Sequence, residues 1–140
     1  MTDREYPKRP IVGLGAVIVG PKGVVLIKRG KPPRMGAWSL PGGAQDLGET
    51  VKEGLIREVK EETGLDGDDP KLVMVMGDPQ RDPRKHIVSI VYEVNVSEDQ
   101  QPVAGDDAAD ARFWPIATLL SGDVEFAGDH FTILQKWLNQ

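Results

Sequence analysis

The segment from Gly43 to Leu65 constrains this chain more than any other. It reads Gly43, five residues, Glu49, seven residues, then Arg57-Glu58-Val59-Lys60-Glu61-Glu62-Thr63-Gly64-Leu65. Residues 50–63 lack proline, hold one glycine and are rich in Glu, Lys, Leu and Arg, a composition that favours a helix. Val51, Leu55 and Val59 recur at i, i+4, i+8 and draw an apolar stripe along it. Gly64 is placed to cap its C-terminus.

On that helix Glu58, Glu61 and Glu62 fall at i, i+3, i+4, on one side and next to the apolar stripe. Three like charges so close repel one another, and divalent cations among them would relieve the repulsion. An oxygen-only donor set suits hard ions, magnesium first and manganese as a substitute. Glu49, Glu53 and Arg57 form a second ridge, in which Arg57 can pair with Glu53 or Glu49 and fix the carboxylates. Gly42-Gly43 brings bare backbone to the helix start, where a carbonyl could complete a metal shell.

A Glu-rich helix is more often a solvated surface laced with ion pairs, and the three glutamates alone would be read that way. The full pattern fixes seven identities, and its chance occurrence in a chain of this length is on the order of one in a million. That decides for a site.

Around this segment the chain reads as one domain over residues 1–140, with residues 1–9 loosely held. Ile11–Val19 and Val24–Lys28 read as strands joined at Gly20-Pro21-Lys22-Gly23, a hairpin. Residues 29–37 form a loop, and Trp38-Ser39-Leu40 a short strand ending at Pro41-Gly42-Gly43. Leu72–Met76, Ile87–Val96 and Ala111–Trp114 read as further strands, and Phe126–Leu138 as a closing helix. Strands, helix, strands, helix argue for a mixed sheet with helices packed on it, an α/β or α+β sandwich.

The chain has no cysteine, which excludes disulfides, thiol nucleophiles and thiolate metal sites. No apolar run suits a leader peptide or a membrane span, so a cytoplasmic protein without a membrane partner is expected. A net charge of −5 offers no broad basic face for a nucleic-acid polymer, and phosphate binding would need local arginines, lysines or metal.

Gly43–Leu65 resembles the Nudix box at every defined position, and the Leu40-Pro41-Gly42-Gly43 lead-in and strand order are similar to that family too. The resemblance implies the Nudix α/β/α sandwich, with a mixed sheet and a glycine loop–helix catalytic motif. It implies that Glu58, Glu61 and Glu62 bind metal, that Gly42 offers it a carbonyl, that Arg57 orients the site, and that Gly43, Glu49 and Gly64 form the framework. Gln45-Asp46-Leu47 departs from the commonest box, which bears on the loop before Glu49.

The implied activity is magnesium-dependent hydrolysis of a nucleoside diphosphate linked to another group. Metal would neutralise the diphosphate oxygens and acidify a bound water, and a carboxylate would take the proton. The base is either a box glutamate, Glu61 or Glu62, or an acid from a later loop. Asp107, in Gly105-Asp106-Asp107, is that loop's candidate, with a turn-forming aspartate as the competing reading.

Residues 77–86 carry Arg81, Arg84 and His86, which could meet phosphate or ribose oxygens. Competing readings are a charged loop with internal Asp–Arg pairs and, for His86, a structural histidine. This loop, with Val88–Tyr92, Gly105–Ala108 and Ala111–Trp114, resembles bacterial and archaeal ADP-ribose pyrophosphatases, which implies cleavage of ADP-ribose to AMP and ribose 5-phosphate. Arg29 and Arg34 are further substrate contacts to consider. Trp38 either stacks on a base or packs at the sheet edge. Two rivals stand beside this reading: a MutT-type enzyme acting on oxidised nucleoside triphosphates, and a non-catalytic nucleotide-binding Nudix module. The sequence leaves a homodimer open.

Overall fold

The structure is a computed structural model and describes residues 8–32, 34–97, 99–105 and 108–140. In chain order the elements are β1 (Ile11–Gly20), β2 (Gly23–Arg29), β3 (Trp38–Ser39), β4 (Gly42–Ala44), α1 (Val51–Thr63), β5 (Asp68–Met76), β6 (Ile87–Asn95), β7 (Ala108–Trp114), α2 (Ile116–Leu119) and α3 (His130–Leu138).

The expected hairpin exists only at its tip. β1 and β2 pair at Val19↔Val24 and Gly20↔Gly23 and then diverge. Beyond the tip, β1 runs antiparallel to β4 and parallel to β6, from Ile11↔Ile87 to Val19↔Asn95. β2 instead takes β3 and β7 as antiparallel partners. The seven strands thus form a mixed sheet, β3-β2-β1-β6-β5, with β4 branching from β1 and β7 from β2.

The pleat explains the two cores. Leu14, Ala16 and Ile18 point to one face and pack with Leu55 and Val59 of α1. Val17, on the opposite side of the same strand, packs with Val24, Val91 and the α3 residues Ile133 and Leu134. One helix covers each face, which gives the α/β/α sandwich. Leu55 and Val59 are fully buried, each contributing roughly 1.5–3 kcal/mol.

Several elements differ from the sequence expectation by more than one residue. β4 replaces a mere turn, because Gly42 and Gly43 lie flat against β1; a Cβ on Gly42 would stand 1.9 Å from the Leu14 carbonyl oxygen. β5 starts at Asp68, earlier than its apolar residues, and tolerates Pro70 because it is the last strand on the sheet path. β7 starts at Ala108 rather than Ala111. α3 starts at His130 rather than Phe126, because residues 125–127 bond to Trp38: its amide donates to Glu125 O (2.8 Å) and its carbonyl accepts from Ala127 N (2.8 Å). Among the described residues no helix is long and apolar enough to cross a membrane.

Candidate active site

Helix α1 is fixed at both ends. Thr50 caps its N-terminus, accepting from Glu53 N (3.1 Å) while the Glu53 carboxylate accepts from Thr50 N (2.8 Å). This reciprocal pair satisfies amides that the first turn leaves open. It also commits Glu53, which therefore does not join Arg57. The Thr50-x-x-Glu53 spacing carries this cap signal in the sequence. At the other end Gly64 takes a left-handed conformation (φ 71°) and its N–H donates to Lys60 O at 2.9 Å.

Arg57 organises the acidic face. Its Nε and Nη2 donate to the two oxygens of Glu49 at 3.0 and 2.7 Å. Nη1 donates to Glu58 (2.9 Å) and Glu61 (3.2 Å), and Nη2 also reaches Ala44 O at 3.2 Å. The Arg57 hydrogen bonds and then the Asp46 N–H hold the Glu49 carboxyl down at about 2. Glu58 moves the other way: partial burial pushes its carboxyl up, against the pull of Arg57.

The glycine lead-in touches these carboxylates directly. Gly42 N–H donates to Glu62 Oε1 at 2.6 Å. A Cβ on Gly43 would sit 2.4–2.6 Å from the Glu58 carboxylate, so only glycine leaves that carboxylate its place. Among the described residues no three acidic or histidine side chains close into one metal-holding group. Like charges separate, Glu58 and Glu61 toward Arg57 and Glu62 toward Gly42. The donor set beside bare glycine backbone is nonetheless all oxygen, the chemistry a hard divalent cation requires.

The C-terminal end of α1 also seats the later loop. Val103 N–H donates to Thr63 O (2.8 Å) and Gly105 N–H to Glu62 O (3.1 Å). A Cβ on Gly105 would come within 2.1 Å of Glu61 O. The loop candidate, Asp107, lies outside the described residues.

The expected substrate-binding residues divide. Arg81 is largely buried and held by protein: Nε donates to Asp129 (2.9 Å), and Nη1 to Met76 O (3.0 Å) and Ser89 Oγ (3.1 Å). It ties the 77–86 loop to the start of α3. Arg84 is exposed and pairs with Asp82 within the same loop, at 3.2 Å. His86 Nε2 donates to Gly77 O at 3.1 Å, closing the loop's neck. Arg34 (φ 62°) donates to Phe126 O at 3.0 Å. Trp38 is buried and stacks edge-on against Trp114 at 5.0 Å, with Arg112 5.1 Å from its ring, so it packs the sheet edge.

Two clefts meet here. One of about 400 Å³ runs from Gly42, Gly43 and Glu62 to Ala127, His130 and Ile133. A neighbour of about 410 Å³ shares Arg29, Arg81 and Ser89 with it and adds Arg34 and Asp129. His130 lines both, and no sequence signal singled it out.

Comparison with known proteins agrees with this geometry. The NUDIX domain family matches residues 9–135. An ADP-ribose pyrophosphatase of Methanocaldococcus jannaschii is 39% identical over 129 residues, 92% of this chain and 73% of that protein. The NUDIX domain of Shewanella oneidensis NrtR, solved with ADP ribose, superposes with a TM-score of 0.83 at 24% identity, over 95% of this chain and 89% of that one. A MutT NUDIX hydrolase structure from Burkholderia pseudomallei gives 0.77 at 29% identity, over 92% of this chain and 98% of that one. Several further curated relatives are matched over less than half of their own length. The chain belongs to the Nudix hydrolase family, as a hydrolase acting on pyrophosphate bonds.

Proposed function

We propose that this protein hydrolyses ADP-ribose to AMP and ribose 5-phosphate with the help of magnesium, for which manganese can substitute. The observation that carries the reading is the continuity of one cleft, which takes in Glu62 and the Gly42-Gly43 backbone at one end and an apolar recess under α3 at the other. A diphosphate needs the first, and a nucleoside needs the second. The M. jannaschii relative, named for this activity and similar over most of both chains, supports the choice of substrate.

Glu58, Glu61 and Glu62, with the Gly42 carbonyl, would hold the metal. When bound, the metal supplies charge neutralisation of the diphosphate and a water acidified for attack. The chain's own residues do the rest. Arg57 keeps Glu58 and Glu61 on one side of the helix and spares them full mutual repulsion. A carboxylate, Glu61 or Glu62 of the box or Asp107 of the later loop, accepts the proton of the attacking water. Arg29, Arg34 and Arg84 line the clefts and would neutralise substrate oxygens at the rim. Arg81 acts as a positioning residue through Asp129, and His86 shapes its own loop.

The test is a substrate panel with magnesium, read by product mass: ADP-ribose, NADH, diadenosine polyphosphates, sugar nucleotides and oxidised dGTP. AMP and ribose 5-phosphate released from ADP-ribose at the highest kcat/KM is the expected result. Preference for oxidised dGTP would replace this reading with a nucleotide-cleansing one, and no turnover of any member would replace it with a binding module.

A further inference from the structure

The recess under α3 has an unusual floor. Gly13 and Gly15 of β1 share the face of Val17, the face on which α3 packs, and line the cleft with no side chain of their own. At Gly15 an added Cβ would meet only Val91 Cγ2, at 3.7 Å, an ordinary contact. Packing therefore does not demand glycine there. Ile87, Val91, Leu40 and Ile133 give the recess apolar walls, and Ser39, Ser89, Arg29 and Arg81 bring polar groups to the same cleft.

His130 is placed in this recess with a fixed tautomer. Leu40 N–H donates to its Nδ1 at 3.0 Å, so in the neutral ring the proton is on Nε2. Among the described residues Nε2 has no hydrogen-bond partner. The residue before it, Asp129, is gripped by Arg81, which fixes where α3 begins. Burial, reinforced by Arg81 and Arg29 and opposed by Asp129, pushes the imidazole below its usual range and keeps the ring neutral.

We infer that His130 reads the nucleobase: its Nε2–H donates to an acceptor on the edge of a planar ring that lies over the Gly13–Gly15 floor. A heteroaromatic base has apolar faces and an acceptor edge, which match a glycine floor between apolar side chains with the His130 donor at its side. The inference rests on the proposed reading of a nucleotide substrate and adds the residue that selects its base half.

The test uses His130→Asn, whose amide oxygen can still accept from Leu40 N–H while the Nε2 donor is lost. The readout is inhibition by the two product halves. The inhibition constant of AMP should rise about three- to tenfold, the worth of one neutral hydrogen bond, and that of ribose 5-phosphate should not move. Gly15→Ala, which the fold accommodates, should weaken AMP in the same selective way and serves if His130→Asn lowers the melting temperature. A weakened ribose 5-phosphate with unchanged AMP, or no change in either, overturns the inference. Failure of the substrate reading is seen separately, as wild-type inactivity on ADP-ribose. The two inhibition constants can then be measured on whichever nucleotide is cleaved.

Discussion

Arg57 holds Glu49 eight positions earlier in the chain through two parallel bonds of 3.0 and 2.7 Å, and spends its remaining nitrogen on Glu58 and Glu61. One planar fork therefore sets three carboxylates at once. A lysine carries the same charge but no fork. Arg57→Lys should lower kcat/KM about ten- to a hundredfold, with a smaller effect on folding. Steady-state kinetics beside thermal melts checks this, and unchanged kinetics would count against the organising role.

The same contact gives the protein an acid-sensitive joint. The Glu49 carboxyl is lowered from 4.5 to about 2 in the fold. A depressed carboxyl contributes stability that is fully present above its unfolded pKa and disappears as pH falls through the folded value. The melting-temperature gap between wild type and Glu49→Gln should be constant above pH 5 and close between about pH 4.5 and 2. Melting curves at each pH, for both proteins, read this directly.

Adjacent glycines should fail differently. At Gly42 a Cβ meets rigid backbone, the Leu14 carbonyl, whereas at Gly43 it meets the mobile carboxylate of Glu58. Gly42→Ala should cost roughly 1–3 kcal/mol of stability or more, an overpacking penalty. Gly43→Ala should fold nearly as well as wild type but lose activity as Glu58 is displaced. Denaturant unfolding and turnover, measured on both, separate the two effects.

Glu62→Gln should keep its contact with Gly42 N–H, since an amide oxygen still accepts, and lose several orders of magnitude in turnover. Chelation of magnesium should abolish activity of the wild type and readdition restore it. Hydrolysis that persists in either case would remove the metal assignment.

The two loop arginines offer a contrast in stability. Removing Arg81 strands Asp129 and breaks five bonds that staple the loop, so Arg81→Ala should cost roughly 3 kcal/mol. Arg84 is an exposed partner of Asp82, and Arg84→Ala should change stability by less than about 1 kcal/mol. Chemical denaturation of the pair tests the assignment.

What could be read from the sequence follows from which interactions are local. α1 was legible because its stripe, cap and charge ridges repeat within the helix. The family followed from the same residues. The partners of those residues were not legible, because they come from elsewhere: Gly42 N–H for Glu62, Gly105 N–H for the Glu62 carbonyl. β4 was missed because two glycines and an alanine carry no strand signal, and the strand exists only through its pairing with β1. The early start of β5 carries no strand signal because Asp68, Asp69 and Lys71 are polar, and its extension comes from pairing with β6. Arg81 looked like a ligand-binding cation because its anchor, Asp129, is distant in sequence. His130 gave no signal, since a lone histidine before an apolar helix carries no periodicity or motif.

The parting of β1 from β2 after their shared tip has a consequence for how the molecule is made. β1 cannot find its parallel neighbour until Ile87–Asn95 has been synthesised, and that pairing closes a chain loop containing β4, α1 and β5. Closing so long a loop is entropically slow. The acidic helix is thus enclosed by a late event, and a peptide cut to residues 42–64 would lack the strand that seats its glycines. The glycine turn and its helix are not a portable cassette; the glycines are seated by β1, a strand from outside that segment.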